Sequence, residues 1–204
     1  MIRRRVRHVV SALLALTLAA CVTPPWTQID KETRACSNAV FKITLPVGWM
    51  RANYLNDVYY VKRDKSVVPL RVDRITFTRD GFALEDMDFI RFDAKDGFPN
   101  LQRPYTSNML PSEAADLMVS DLKKAGLDAL NVQSNEPATI AGKAGFKLHI
   151  SYKNARGLRI ERTIYGFGYK SSFYVMSFEA PSLHYFPAHR GTFNEVVQSF
   201  RLIG

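Results

Sequence analysis

The side chains best suited to chemistry in this chain are two cysteines, Cys21 and Cys36, and the histidines His149, His184 and His189. His184 and His189 stand five apart with Pro187 between them, whereas zinc-binding histidines on one helix face fall four apart. With no carboxylate or thiol at a supporting spacing, they read as surface or capping histidines, and no metal ligand set is expected. Glu85-Asp86-Met87-Asp88 is an acidic run, but it lacks the glycine and closing glutamate of a calcium loop and reads as a solvated acidic loop. Gly166-Phe167-Gly168 lies inside a strand pattern, so its glycines mark a bulge or a close backbone contact rather than a phosphate cradle. There is no Gly-x-Ser-x-Gly elbow and no paired-carboxylate motif. No catalytic residue and no cofactor are therefore expected, and the chain reads as a non-enzyme.

Cys21 stands apart from these because of what precedes it. Arg3, Arg4, Arg5 and Arg7 open the chain without an acidic residue, and an apolar run follows from Val9 to Ala19. Eleven residues of helix span roughly 16 Å, too short for a hydrocarbon core of about 30 Å. Basic start and short apolar stretch make residues 1–20 a secretory signal. Leu18-Ala19-Ala20-Cys21 resembles the lipobox of bacterial lipoproteins, with small residues fitting the signal peptidase groove and cleavage after Ala20. The resemblance implies a diacylglycerol thioether and an N-acyl chain (palmitate) on Cys21. Two or three acyl chains on one residue are enough for stable anchoring, where a single chain would be marginal. Val22, in place of aspartate, points by the same resemblance to the outer membrane, facing the periplasm.

Removing residues 1–20 leaves 24 basic and 19 acidic side chains, a net charge of +5 instead of +9. Much of the basicity thus belongs to the signal, no polybasic run survives, and nucleic acid is not an expected partner. At 47% hydrophobic and 12% aromatic residues, disorder is excluded too. With Cys21 acylated, Cys36 has no partner within the chain. It is an inert covered thiol, a free thiol or a bridge between chains. Residues 21–37, with Pro24-Pro25, read as a lipidated tether, and residues 38–204 as one domain.

The elements of that domain follow from patterning. Strands are expected at about Val40–Leu45, Asp57–Lys62 and Pro69–Thr78, with Asp80-Gly81 as a hairpin signal. Phe82–Phe92 is left as strand or irregular crossing, and a loop follows to about Met109. Ser112–Ala125 is a helix with Ser112 as N-cap, Ala114, Leu117, Met118 and Leu122 on one stripe, and Gly126 as its stop. Phe146, Leu148, Ile150 and Tyr152 alternate with polar residues as a half-buried strand. Further strands reach about Tyr169 and Glu179, and a last helix covers about Thr192–Phe200. Successive hairpins and amphipathic helices make the class α+β: an antiparallel β-sheet flanked by helices.

Phe41…Leu45-Pro46-Val47-Gly48-Trp49, then Pro137-Ala138-Thr139-Ile140-Ala141-Gly142 leading into Gly145-Phe146, and the closing Phe193…Val196-Val197…Ser199-Phe200 resemble the PsbP-like fold. That fold is shared with the Ran-binding Mog proteins and with several bacterial lipoproteins. The resemblance implies an αβα sandwich, and it implies an accessory or assembly factor docking onto another envelope protein. The alternative is a periplasmic small-ligand-binding module, with a hydrolase third. Tyr152, Tyr165, Phe167, Tyr169, Tyr174, Tyr185 and Phe186 concentrate in the last third. Tyr165, Phe167 and Tyr169 alternate opposite Ile160 and Ile164. Two readings stand for them: a partner or ligand surface with Arg156, Arg159 and Arg162 as its rim, or a sheet whose two faces are both covered. For the anchor the expectation is direct. Cys21→Ser should abolish incorporation of labelled palmitate and move the protein out of the membrane fraction, whereas retained label would show that the acyl group sits elsewhere.

Overall fold

The computed structural model describes residues 25–37, 40–53, 58–127 and 129–203. The signal, the cleavage position Ala20 and the acylation position Cys21 lie outside these residues. Eight antiparallel strands form the main sheet: β1 (Trp26–Gln28), β4 (Met50–Ala52), β7 (Asp73–Thr78), β8 (Asp86–Asp93), β9 (Asn131–Ile140), β10 (Lys143–Lys153), β11 (Arg159–Tyr169) and β12 (Ser172–Pro181). Their order is β1-β4-β7-β8-β12-β11-β10-β9. A three-stranded sheet joins β2 (Thr33–Ser37) and β3 (Phe41–Leu45) to β13 (Arg201–Leu202), and β5 (Val58–Arg63) forms a hairpin with β6 (Ser66–Arg71). The α-helices among the described residues are α1 (Pro111–Ala125) and α2 (Tyr185–Ser199). This is the expected α+β arrangement.

Alternation along the strands loads both faces of the main sheet with apolar side chains. One face carries Ile75, Phe77, Phe89, Phe167, Tyr174, Met176 and Phe178, covered by Phe186, Phe193 and Val196 of α2 and by Phe41, Ile43 and Leu45 of β3. The other carries Phe92, Phe146, Leu148, Ile150, Ile164, Phe173 and Val175, covered by Ala114, Ala115, Met118 and Leu122 of α1 and by Phe98. Strand β12 lies between neighbours on both sides and is buried over nearly its whole length, as a central strand with two covered faces must be.

Several expectations need correction. The span read as a tether is folded from Trp26 onward: β1 pairs with β4, and β2 pairs with β3, including Cys36 opposite Lys42. Pro24-Pro25 suggested a linker, but the Pro25 carbonyl accepts the Asn53 N–H at 2.9 Å and starts the edge strand. The chain from Cys21 to Pro25 can then reach at most about 14 Å. The strand expected over Pro69–Thr78 is two strands, β6 and β7, broken at Val72. Ser112 is not the cap of α1. Pro111 occupies the first turn, where its missing N–H costs nothing, and the Leu110 N–H donates to Glu113 Oε2 at 2.8 Å. Gly126 at φ 107° ends the helix as expected. Helix α2 starts seven residues earlier than expected, because Pro187 falls in its first turn and Gly191 faces open space.

Strand β9 was not anticipated. It is an exposed edge strand that rests mainly on β10, and Pro137 together with a register shift opposite His149/Ile150 blunts that edge against further pairing.

The glycine pair in β11 is a close backbone contact, as expected. A Cβ on Gly166 would enter the ring of its cross-strand partner Phe146, and one on Gly168 would enter the ring of Tyr105. Tyr105 in turn stacks on Phe173 with centroids 5.0 Å apart, so loop 97–109 is sealed onto the sheet through a missing side chain. Gly166→Ala should therefore cost about 1–3 kcal/mol by overpacking. Gly191→Ala, in a helix with nothing within 4 Å, should instead stabilise by about 0.4–1 kcal/mol. Urea denaturation of the two variants reads both signs.

Candidate functional site

Loop 79–85, between β7 and β8, is held shut by its own hydrogen bonds. The Leu84 and Glu85 N–H groups donate to the Gly81 carbonyl at 2.9 and 3.1 Å, and the Gly81 N–H to Thr78 Oγ1 at 3.1 Å. Thr78 Oγ1 donates to the Glu85 carbonyl at 2.7 Å. Glu85 is 1% exposed, and its Oε1 accepts the Arg79 and Asp80 N–H groups at 3.2 and 3.1 Å. Across the loop, His189 on α2 places Nε2 3.3 Å from Asp80 Oδ2 and 3.7 Å from Glu85 Oε2. Its ring stands edge-on to Trp49, with centroids 5.4 Å apart. Burial pushes the Glu85 carboxyl above its ordinary range, partly offset by the hydrogen bonds it accepts and by His189.

On the α1 face of the sheet, beside the same loop, lies a second polar centre. Arg74 Nε and Nη2 donate to Asp88 Oδ1 and Oδ2 at 2.9 and 2.7 Å, a bidentate pair almost out of contact with water, and Nη1 donates to the Val58 carbonyl at 2.9 Å. Thr76 Oγ1 donates to Asp88 Oδ1 at 2.5 Å. Burial opposes the Arg74 charge, but Asp88 more than offsets it and holds the guanidinium above its usual range. Two strands away, Arg162 reaches Ser177 Oγ at 3.0 Å and Glu179 Oε2 at 3.2 Å, and the Tyr152 hydroxyl donates to Glu179 Oε2 at 3.1 Å. Asp86 sits opposite Glu179 in the ladder. The cleft beside them, lined by Phe82, Leu84, Tyr152 and Asn154, encloses about 110 Å³. That is space for a few waters. Glu179 is engaged by both Arg162 and Tyr152, so this centre ties strands together rather than presenting a free acid and base.

Of the acidic run read as a solvated loop, Glu85 and Asp88 are buried, because Arg74, Thr76 and the loop backbone supply their partners, and Asp86 is half-buried. A signal was there: polar residues at 74, 76 and 78 and at 86 and 88 repeat every second position in adjoining strands. The approach of His189 to Asp80, 109 residues away, had none.

Of the three aromatic residues weighed as a partner or ligand surface, Phe167 is buried and Tyr165 and Tyr169 are half-buried. Phe167 is buried, stacked on Tyr174 at 4.9 Å and edge-on to Phe200. Tyr165 is half-buried against Phe193, and its hydroxyl donates to Asn194 Oδ1 at 3.4 Å. Tyr169, also half-buried, lies under the Lys143 ammonium at 4.4 Å. Arg162 faces the opposite side of the sheet, while Arg159 and Arg156 are exposed at the strand end and turn. Apolar layers lie on both faces of the sheet. His149 stacks on Phe186 and pairs with Glu161 at 3.0 Å, and His184 is exposed.

Asp88→Ala leaves Arg74 buried without its counter-ion and should cost about 3–5 kcal/mol in urea denaturation. The Asp86 carboxyl is held well above its ordinary range by burial, with Glu179 and Asp88 adding to the effect. The folded chain therefore binds a proton there more tightly than the unfolded chain. Stability should fall as pH rises from about 4 through the folded-state value. Asp86→Asn should raise the urea midpoint at pH 7 and flatten this decline, and an unchanged profile would show that Asp86 titrates normally.

No family model matches the chain, and no curated protein matches it in sequence. Solved structures do match. The PsbP protein of the cyanobacterium Synechocystis (CyanoP) has 12% identity, with 86% of this chain and 95% of that one covered, at a TM-score of 0.55. A mutant of Mog1 has 12% identity over 85% and 96% of the two chains, with a TM-score of 0.52. The Saccharomyces cerevisiae Ran-binding protein Mog1p matches with 12% identity over 84% and 96%, at 0.50. At this identity the likeness speaks for the architecture: the chain has the PsbP/Mog1-like α+β fold.

Proposed function

We propose that this chain is a lipid-anchored, non-enzymatic accessory protein of the bacterial envelope, held to the outer membrane through acylated Cys21, that docks onto another envelope protein through loop 79–85. The observation that carries this reading is the loop itself. Phe82 and Leu84 are 44% and 37% exposed, yet the backbone that presents them is fixed by Thr78, Gly81 and the buried Glu85. Exposed apolar side chains on a pre-ordered loop lose little entropy when a partner covers them. Trp26, 6.0 Å from Phe82 between ring centroids, extends the apolar ground, and it is five residues from Cys21.

Mog1p, a Ran-binding protein, is an example of this architecture binding a protein. No helix among the described residues is long and apolar enough to cross a membrane.

A Phe82→Ser/Leu84→Ser double variant tests the docking. It should retain the parent's melting temperature and membrane fractionation, but lose a near-stoichiometric envelope protein cross-linked to the parent in intact cells. The same cross-link from the variant would overturn the assignment of the loop. The alternative, a small-ligand module, would instead give a bound small molecule in native mass spectrometry and no cross-linked protein.

A further inference from the structure

We propose that Asp80, Glu85 and His189 bind a single zinc ion. One donor atom from each of the three lies within 4.8 Å of the other two. The separations from His189 Nε2, 3.3 Å to Asp80 Oδ2 and 3.7 Å to Glu85 Oε2, bracket what a zinc centre needs: bonds of about 2.0–2.1 Å at tetrahedral angles put neighbouring ligand atoms roughly 3.3–3.4 Å apart. Imidazole with two carboxylates is a donor set that zinc accepts, while calcium would require six or more oxygens.

An independent observation points to an ion. Glu85 is buried, its Oε1 is satisfied by two backbone N–H groups, and its Oε2 has no hydrogen-bond partner among the described residues. That oxygen faces His189 at a distance too long for a hydrogen bond. Buried polar atoms without a partner are uncommon and ask for an explanation. A cation between the three side chains supplies one, and its double charge balances both carboxylates while the imidazole stays neutral. An imidazolium would balance only one.

The remaining features suit an exchangeable ion. The Asp80 side chain is 43% exposed and gives an entry path and room for a water in the fourth position. The edge-on Trp49 ring packs against the imidazole and restricts its rotation. Bound there, zinc would clamp loop 79–85 to α2. Zinc binding at these three side chains does not depend on whether the loop docks a partner.

The test uses the full chain purified from membranes in detergent, stripped with a chelator and titrated with zinc chloride alone. The expected result is one zinc per chain by calorimetry and elemental analysis, with a rise in melting temperature. Cobalt substituted for zinc should give the intense visible bands of a four-coordinate centre. Asp80→Asn changes an exposed side chain and should leave the metal-free melting temperature unchanged while weakening zinc binding at least about tenfold. Glu85→Gln should do the same, because it keeps the acceptor that the loop backbone uses. Absence of stoichiometric zinc would overturn the proposal in favour of a histidine–carboxylate ion pair. Zinc bound equally well by both variants would overturn it in favour of another site.

Discussion

A single antiparallel sheet with apolar side chains on both faces has to be covered twice, and the rest of this structure is the means of doing so. Strand β12 shows the demand most plainly, being buried on alternate sides by Phe173 and Val175 toward one layer and Tyr174, Met176 and Phe178 toward the other. Helix α2 and the small sheet around β3 close one side. Helix α1 alone is too short to close the other, so loop 97–109 is drawn in. Asp121 on α1 accepts the Asn100 and Leu101 N–H groups at 2.8 and 3.0 Å, and Asn100 Oδ1 accepts the Lys62 N–H of the β5–β6 hairpin at 2.6 Å. One buried carboxylate thus gathers helix, loop and hairpin over the same face, with burial raising its pKa against the hydrogen bonds that lower it.

Where the apolar cover ends, the sheet switches to charge. The Arg74–Asp88 and Arg162–Glu179 pairs occupy core-facing positions that their neighbours fill with Ile, Phe and Val. Buried pairs of this kind add little net stability compared with apolar residues of equal size, and their loss is costly because the surviving charge has no partner. We take their role here as fixing register: a slip of one residue between β7 and β8 would turn Arg74 and Asp88 to opposite faces.

Much of this was legible in the chain wherever a local signal existed. Pro111 and Gly126 bracket α1, and the alternation of Phe146, Leu148 and Ile150 announces β10. The elements that were missed have no such signal. Strand β9 is an edge with little to bury, the first half of α2 hides behind Pro187 and Gly191, and β1 and β2 follow a proline pair that reads as linker. The same division applies to the sites. Thr76 and Asp88 sit in a two-residue rhythm that a sequence displays, but the meeting of His189 with Asp80 and Glu85 is a product of packing α2 against the far end of the sheet. The aromatic residues left two readings open for a related reason. Tyr165, Phe167 and Tyr169 do share a face, but strand alternation says nothing about whether a helix lies on it.

The early start of β1 changes how an acylated form of this chain would meet other molecules. With Pro25 already bonded to Asn53, only a few residues separate the folded body from Cys21. Such a form would ride the bilayer surface like a buoy on a short chain. It would search by lateral diffusion in two dimensions, and it could engage only those parts of a partner that lie close above the lipid headgroups.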